Sequence, residues 1–434
     1  MENWKFMMRS IKISTYQKRV ILLSMIICFL INKTRGQTAQ AEILSLDTIL
    51  TRIEQQNIKL RAYDLRSKGF SYRAKASTGW MAPMVGAGTF MTPYPGQQIM
   101  EDSDKGSIMF NIEQEIPNPS KQKANSRYIA SQGASETAKR AVNLNDLRAQ
   151  AKSLYYTWLI AEKRIQLLND NEKIIQSMKQ LEAIRYEYNQ SQLGNVFKTD
   201  AQLEENRNML RMQEAEIARS RAWLNSLMNV PGDIKFKIDT NSTPTFEPIA
   251  LLDTLLLATR RQDIQKMNAD MQTMRYGIDA MKQERKPDFK IRFDHMSPLG
   301  KMMPNAYSVM GMISIPIAPW SSKMYKNETK AMQFELDAMQ AERKSMLLES
   351  QGMLYGMQAE IKTMKERIDR IAKKIIPALE RSMEANFQSY RENKQDLPVV
   401  LADWEALNMM KNTLLDEQLK LYLMIANYEK ELFN

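Results

Sequence analysis

Two segments of this 434-residue chain are unusually long stretches with few helix-breaking residues. Residues 120–193 and 321–395 contain little glycine or proline, and apolar side chains recur in them at three- and four-residue spacing, as on one face of an α-helix. Because a helix rises about 1.5 Å per residue, each segment would extend roughly 110 Å as a single helix. The sequence therefore predicts a fold organised around two very long helices.

The chain also repeats itself with a period of about 200 residues. Both halves show the order helix, strand pair, long helix, tight turn and helix, which predicts a first repeat at residues 42–245 and a second at 246–434. Shorter helices are predicted at residues 196–228, 248–286 and 397–433. The matching pairs are residues 46–50 with 252–256, 116–120 with 315–319, and Tyr186 with Tyr390.

Four segments change from helical spacing to alternation, at residues 84–93, 107–116, 288–296 and 306–315. The first is rich in glycine, whereas the other three are apolar on one face and polar on the other. Each has about the 10-residue length that a tilted strand needs to cross an outer membrane. The charged residues of the polar faces are candidates for the lining of a barrel lumen, although any water-filled barrel interior is polar. They are Glu113, Glu115, Lys290, Arg292 and Asp294.

Four strands cannot close a transmembrane barrel, because known barrels have at least eight strands and an open edge in lipid leaves backbone groups unpaired. Three copies of the chain would supply twelve strands and twelve long helical columns. The predicted fold class is therefore mainly α with a small β part. Long antiparallel helices would form an α-barrel, and four strands per protomer would enter a twelve-stranded trimeric β-barrel.

Residues 1–41 have the features of a secretory signal peptide. A basic stretch precedes an apolar run from Val20 to Ile31 that is too short to span a bilayer as a helix, and cleavage is expected after Ala41 or, as a second choice, Gly36. Seven basic residues against one acidic residue give this segment +6 of the formal net charge of +11. The small excess elsewhere does not favour a nucleic-acid-binding groove.

Few residues suited to catalysis remain after that cleavage. The only cysteine, Cys28, lies in the predicted signal, and His295 is the only histidine. A Cys-His site would therefore lack its cysteine, and Ser-His-Asp and histidine–metal sites would have at most one histidine. We expect no enzyme activity, no catalytic residue and no cofactor.

The mature chain resembles the TolC superfamily of outer-membrane efflux channels over nearly its whole length. The resemblance is carried by residues 44–50, by the strand-to-helix corners Ile116-Pro117 and Ile315-Pro316, and by residues 375–401, which begin Ile375-Ile376-Pro377. The corners are most similar to those of the heavy-metal branch, the CusC and CzcC type. The resemblance implies a homotrimer in the outer membrane that extends into the periplasm. Its implied partners are a periplasmic adaptor protein, an inner-membrane pump of the RND type and outer-membrane lipid, with no nucleic acid.

The resemblance places a periplasmic tip at the turns between long and short helices. Aligned from Tyr390, the basic tip position of the family falls on Gln395 and its two acidic pore-lining positions on Val399 and Ala402, so the chain departs from the family at all three. Charged residues within a helical turn of these positions are the expected substitutes. The candidate tip and gate residues are Gly194, Asp200, Tyr390, Lys394, Asp396 and Asp403.

Methionine is abundant, with 33 residues, and several recur every seven positions, as Met332, Met339 and Met346 do. Thioethers suit Cu(I) and Ag(I), but this spacing is also typical of packed helix pairs, and packing is the favoured interpretation. Met310 and Met312 are the better metal candidates, because alternation turns them towards the predicted lumen. Heavy-metal cations are the expected cargo of an exit duct. The alternatives are a multidrug or type I secretion duct of the same family and, from another class, a periplasmic coiled-coil scaffold or adaptor.

Overall fold

The computed structural model describes residues 42–301 and 303–432, so the predicted signal peptide and Cys28 lie outside the described residues. The chain divides into two compact units. The small unit contains residues 42–44, with strand β1 (Ile43–Leu44), and residues 235–237, which include the first residue of strand β4 (Lys237–Ile238). In it, the Lys237 N–H donates to the Glu42 carbonyl at 2.9 Å. The large unit contains the long helices and the main sheet.

The large unit is mainly helical with a small β part, as predicted. Its strands are β2 (Met84–Phe90), β3 (Ser107–Ile116), β5 (Phe289–Pro298) and β6 (Ala306–Ile313). Its helices are α1 (Leu46–Gln56), α2 (Ile58–Ala76), α3 (Pro119–Glu187), α4 (Leu193–Leu227), α5 (Thr254–Arg260), α6 (Gln262–Gln283), α7 (Pro319–Arg370), α8 (Ile376–Arg391) and α9 (Leu397–Leu432).

Helix α3 is continuous over 69 residues, roughly 100 Å. Pro119 occupies its first turn, where the missing N–H costs nothing, and the Asn118 side chain caps the helix by accepting from the Ser120 N–H at 3.0 Å. From Tyr155 to Ala161 nearly every side chain is buried, so α3 is covered on all sides there. This stretch is the centre of the packing.

The second long helix differs from the single helix predicted at 321–395. A π-helical turn at Ile371–Ile375 separates α7 from α8, and the Ile376 N–H donates to the Ile371 carbonyl. Pro377 follows in the first turn of α8 and has no N–H for a regular helical bond. The wider turn accommodates the proline within a helix that otherwise continues.

The predicted helix at 248–286 is also divided, into α5 and α6, with Arg261 extended between them. Arg261 is buried, and its guanidinium pairs with Asp263 at 2.6 Å and Glu431 at 3.1 Å. These contacts hold the break in place. The same break occurs in the first half at Asn57, which caps α2 and donates from its side chain to the Leu227 carbonyl at 2.9 Å.

The helices pack in a fixed order of neighbours. Helices α2, α4, α6 and α9 all contact α3. Helices α6 and α9 in turn contact the column formed by α7 and α8. Within the described ranges, no helix combines the length and apolar content needed to cross a bilayer.

The four-stranded sheet is antiparallel, in the order β2-β3-β5-β6. Its centre is the pairing of β3 with β5, in which Glu113 lies opposite Arg292 and Ile112 opposite Phe293. Strand β2 ends at Phe90, three residues before the predicted end, because Met91 adopts a φ of 52° that leaves the extended conformation. Strands β2 and β6 form the two edges of this sheet.

Truncating the centre of α3 should destabilise the protein. Leu159 is fully buried, and Leu159→Ala is expected to lower the free energy of unfolding by about 2–5 kcal/mol through lost burial and a residual cavity. Leu193→Ala is the matched control, because Leu193 is 43% exposed. Denaturant titration followed by circular dichroism would compare them; an equal loss in both variants would contradict the central role of α3.

Candidate functional site

The main sheet separates two kinds of surface. Alternation places the five charged residues predicted for a lumen on one face, which we call the charged face. The opposite face is apolar and largely exposed in the single chain. Its members include Phe110, Ile112, Ile291, Phe293 and Val309.

The charged face is an ion-pair ladder. Lys290 pairs with Glu113 and, at 3.5 Å, with Glu115, while the Arg292 guanidinium donates to Asp294 at 2.7 Å. Asp294 is only 4% exposed, so its pairing offsets the cost of burying a carboxylate. Three carboxylates against two cations leave one negative charge per chain. The structure thus brings all five predicted residues together.

Thioethers share this face. Met310 lies opposite Arg292, Met312 lies opposite Lys290, and Met109 lies opposite Met296 across the β3–β5 pair. Both metal candidates therefore neighbour cationic side chains. Among the described residues, no three acidic or histidine side chains gather into a metal-binding group.

The regularly spaced methionines elsewhere are packing residues. Met267 and Met274 of α6 and Met332 and Met339 of α7 lie against a core that contains Leu336, with Met271 and Ile278. This arrangement agrees with the packing interpretation of the seven-residue spacing.

The turns at residues 188–192 and 392–396 have the same backbone geometry, and together we call them the turn end. Asn189 has a φ of 54° and Asn393 a φ of 59°, in the left-handed region that asparagine tolerates. The Gln190 N–H donates to the Arg185 carbonyl at 2.8 Å, and the Lys394 N–H to the Ser389 carbonyl at 2.9 Å. Both long helical columns therefore end in the same capped turn.

A buried network joins α8 to α3 beside this turn end. The Tyr390 hydroxyl donates to Glu182, which also accepts from the Ser191 hydroxyl. The Arg185 guanidinium donates to the Tyr390 carbonyl and lies 4.0 Å from the centre of the Tyr390 ring. We call Tyr390, Glu182, Arg185 and Ser191 the latch. Tyr390, Glu182 and Arg185 are all buried.

Burial raises the pKa of the Tyr390 phenol, and the hydrogen bond to Glu182 with its negative charge raises it further, while Arg185 opposes the shift. The phenol therefore stays protonated and keeps donating at neutral pH. Formation of the latch therefore needs no proton release.

The remaining predicted tip residues lie apart from the latch. Asp200 pairs with Lys179 of α3, and Asp403 of α9 accepts from the Asn386 side chain at 2.6 Å. Lys394 pairs with Glu392 at 2.7 Å. The hydrogen bonds that Glu392 accepts from Lys394 and from the Gln388 side chain lower the pKa of the Glu392 carboxyl. Gly194 and Asp396 are exposed.

Tyr390 was predicted from the sequence as a tip residue, whereas Glu182 and Arg185 were not. Both continue the three- and four-residue spacing of the buried Ile175 and Met178 along α3. Their position on this buried stripe could have predicted a contact, because charged residues are rarely buried without a partner.

Several solved structures have a similar fold. The outer-membrane channel OprN matches with a TM-score of 0.71 and 15% identity over 89% of each chain. CusC, whose structures address transmembrane channel formation, matches with a TM-score of 0.73 and 12% identity over 89% of this chain and 91% of its own. The MtrE outer-membrane channel of Neisseria gonorrhoeae matches with a TM-score of 0.68 and 15% identity, over 90% of this chain and 89% of its own.

These values show that the chain has the fold of outer-membrane channels, and they do not single out CusC among them. No protein-family model matches the sequence, and no curated protein does.

Removing the latch should loosen the turn end. Tyr390→Phe and Glu182→Ala are each expected to destabilise the protein, with a coupling of about 0.5–3 kcal/mol in a double-mutant cycle, because each loses the same hydrogen bond. The Tyr390 contribution is present below pH 10 and is lost as pH rises above it, since its pKa is raised in the folded state. Denaturant titrations at neutral and alkaline pH would measure both effects. Tyr186→Phe is the control, and additive single effects would contradict the latch.

Proposed function

We propose that this chain is the outer-membrane channel of a tripartite efflux system, a passive exit duct across the periplasm and the outer membrane. The observation that carries the proposal is the sheet with one apolar and one charged face, in a chain with the fold of outer-membrane channels. A wall between lipid and water needs those two faces. The ladder residues would line the lumen, and the apolar face would contact lipid.

A homotrimer would complete the barrel. The edges β2 and β6 present unpaired backbone groups, which cannot remain open in lipid. Pairing β6 of one copy with β2 of the next satisfies both edges, and three copies give twelve strands. The apolar strands also argue against the coiled-coil scaffold, because a soluble scaffold has no use for such a face.

The proposed partners of the duct follow from the resemblance to the TolC superfamily. The energy for transport would come from an inner-membrane pump of the RND type. A periplasmic adaptor would join that pump to the turn end. The protein would reside in the outer membrane and extend into the periplasm.

Heavy-metal cations are the cargo that we propose. The supporting observation is the set of thioethers on the charged face, where Met109 lies opposite Met296 and where Met310 and Met312 share one strand. A multidrug or type I secretion duct is the alternative within the same fold. The residual negative charge of the ladder favours cations in either case.

Two measurements test this function. The full-length protein should sediment with outer membranes and be extracted by detergent as a heat-sensitive trimer; a soluble monomer would refute the channel. Deleting the gene should then sensitise cells to copper, silver, zinc or cobalt, and a restored copy should reverse it. Sensitivity confined to detergents and antibiotics would refute the metal cargo and leave the channel intact.

The ladder makes a prediction about ion selectivity. Lys290→Gln leaves Glu113 and Glu115 without their shared cation and changes the charge of the face from −1 to −2 per chain. The reversal potential in a salt gradient across planar bilayers should therefore shift towards cation selectivity. Lys173→Gln removes the same charge from the α3 surface and should leave the potential unchanged. An equal shift in both variants would show that the charged face does not line the pathway.

The acidic residues near the turn end make a second prediction. Asp200→Ala removes the pairing with Lys179, and Asp403→Ala removes the bonds to Asn386 and Ser382. Each should raise the resting conductance by up to about fivefold, because an exposed ion pair contributes about 1 kcal/mol or less. Asp170→Ala, which removes another exposed pair, is the control. Unchanged conductance in both acidic variants would remove them from the gate.

A further inference from the structure

Helices α3 and α6 pack against each other next to the sheet, and a groove lies on each side of their contact. The first groove is lined by Lys121 and Tyr128 of α3 and continues into a cavity lined by Glu115 and Lys290, so it lies on the side of the charged face. The second groove is lined by residues 120, 123, 124 and 127 of α3. Because successive helical residues are about 100° apart, this set points roughly away from the first groove. The second groove therefore lies on the side of the apolar face of the sheet.

The second groove, which we call the basic groove, has a volume of about 430 Å³. Three of its side chains are cationic and one is acidic, which gives it a charge of +2, and two others carry hydroxyl groups that can donate hydrogen bonds. These side chains belong to Lys123, Arg127, Lys286, Asp279, Ser120 and Tyr276.

The cations of the basic groove are unpaired. None of the three forms an ion pair with another described residue, whereas Lys121, on the other side of α3, lies 2.6 Å from Asp288 and 3.2 Å from Glu284. Lys123 and Arg127 are exposed. Unpaired cations that line one concave surface raise the local positive potential and attract an anion.

The basic groove begins where the sheet ends. Lys286 precedes Phe289, the first residue of β5, by three positions. Lys123 and Arg127 follow Pro119, the first residue of α3, by four and eight positions, which corresponds to about 6 and 12 Å along the helix. Both side chains tilt towards the sheet, because side chains of an α-helix tilt towards its N-terminus. If the sheet spans the apolar core of a bilayer, these cations lie at the adjoining headgroup layer, which is roughly 5–8 Å thick.

We propose that the basic groove binds the phosphate group of a membrane phospholipid from the periplasmic leaflet. The acyl chains of this lipid lie against the exposed apolar side chains that begin directly beside the groove, such as Phe289 and Ile291. A free phosphate ion would use the cations but not this apolar surface. Tyr276 suits the same depth, because tyrosine is enriched at membrane–water interfaces. The inference rests on the proposed outer-membrane channel and adds a lipid ligand that fixes its depth in the membrane.

Lipid retention by the detergent-extracted, full-length trimer tests the proposal. About one phosphatidylglycerol per chain should remain bound in native mass spectrometry, because the phosphate forms charge-assisted hydrogen bonds with the groove. A diacylglycerol with the same acyl chains has no phosphate and should be retained at least about tenfold less. Equal retention of the two lipids would overturn the proposal.

Neutralising the basic groove should release the phospholipid. The combined substitutions Lys123→Gln, Arg127→Gln and Lys286→Gln should lower phosphatidylglycerol retention at least about tenfold. The matched control removes the same charge from exposed positions outside the groove and should leave retention unchanged; it combines Lys198→Gln, Lys362→Gln and Arg370→Gln. An equal loss in both triple variants, or no loss in the first, would contradict the site.

A substitution with the opposite effect guards against misfolding of the triple variant. Asp279→Asn raises the charge of the basic groove from +2 to +3 and should increase phosphatidylglycerol retention at least about twofold. Asp233→Asn removes an exposed carboxylate outside the groove and should leave retention unchanged. Lower or unchanged retention with Asp279→Asn would contradict the electrostatic basis of the proposal.

Two further outcomes separate this inference from its alternatives. Displacement of phosphatidylglycerol by excess inorganic phosphate would identify a site for free phosphate and overturn the lipid ligand. A protein that is monomeric in detergent refutes the proposed channel, whereas a trimer that releases phosphatidylglycerol as readily as diacylglycerol refutes only the lipid site.

Discussion

Burial of α3 on all sides is the constraint on which the rest of the structure depends. A helix of 69 residues with apolar groups around its middle is stable in water only if neighbours cover it. No single shorter helix matches its length, so α2, α4, α6 and α9 cover it together. The breaks at Asn57 and Arg261 and the capped turns near residues 189 and 393 are the places where the chain adapts to that requirement.

Charge is placed in this fold where it defines a surface or joins two segments. On the sheet, the ladder keeps a water-facing surface polar while nearly cancelling its own charge. At the latch, the buried Glu182 and Arg185 are stable because Tyr390 and Ser191 satisfy them. The first arrangement suits the proposed lumen, and the second suits a buried contact between two helices.

The parts of the fold that depend on neighbours along the chain could be predicted from the amino-acid sequence. The length of α3 follows from the scarcity of glycine and proline, the sheet faces from alternation, and the five ladder residues from their parity on the strands. Which distant residues meet depends on the tertiary packing of the helices. Glu182 and Tyr390 are 208 positions apart, so their contact depends on which helices pack together rather than on any local pattern. Periodicity likewise did not predict the break at Arg261, whose guanidinium bonds to Glu431, 170 positions away.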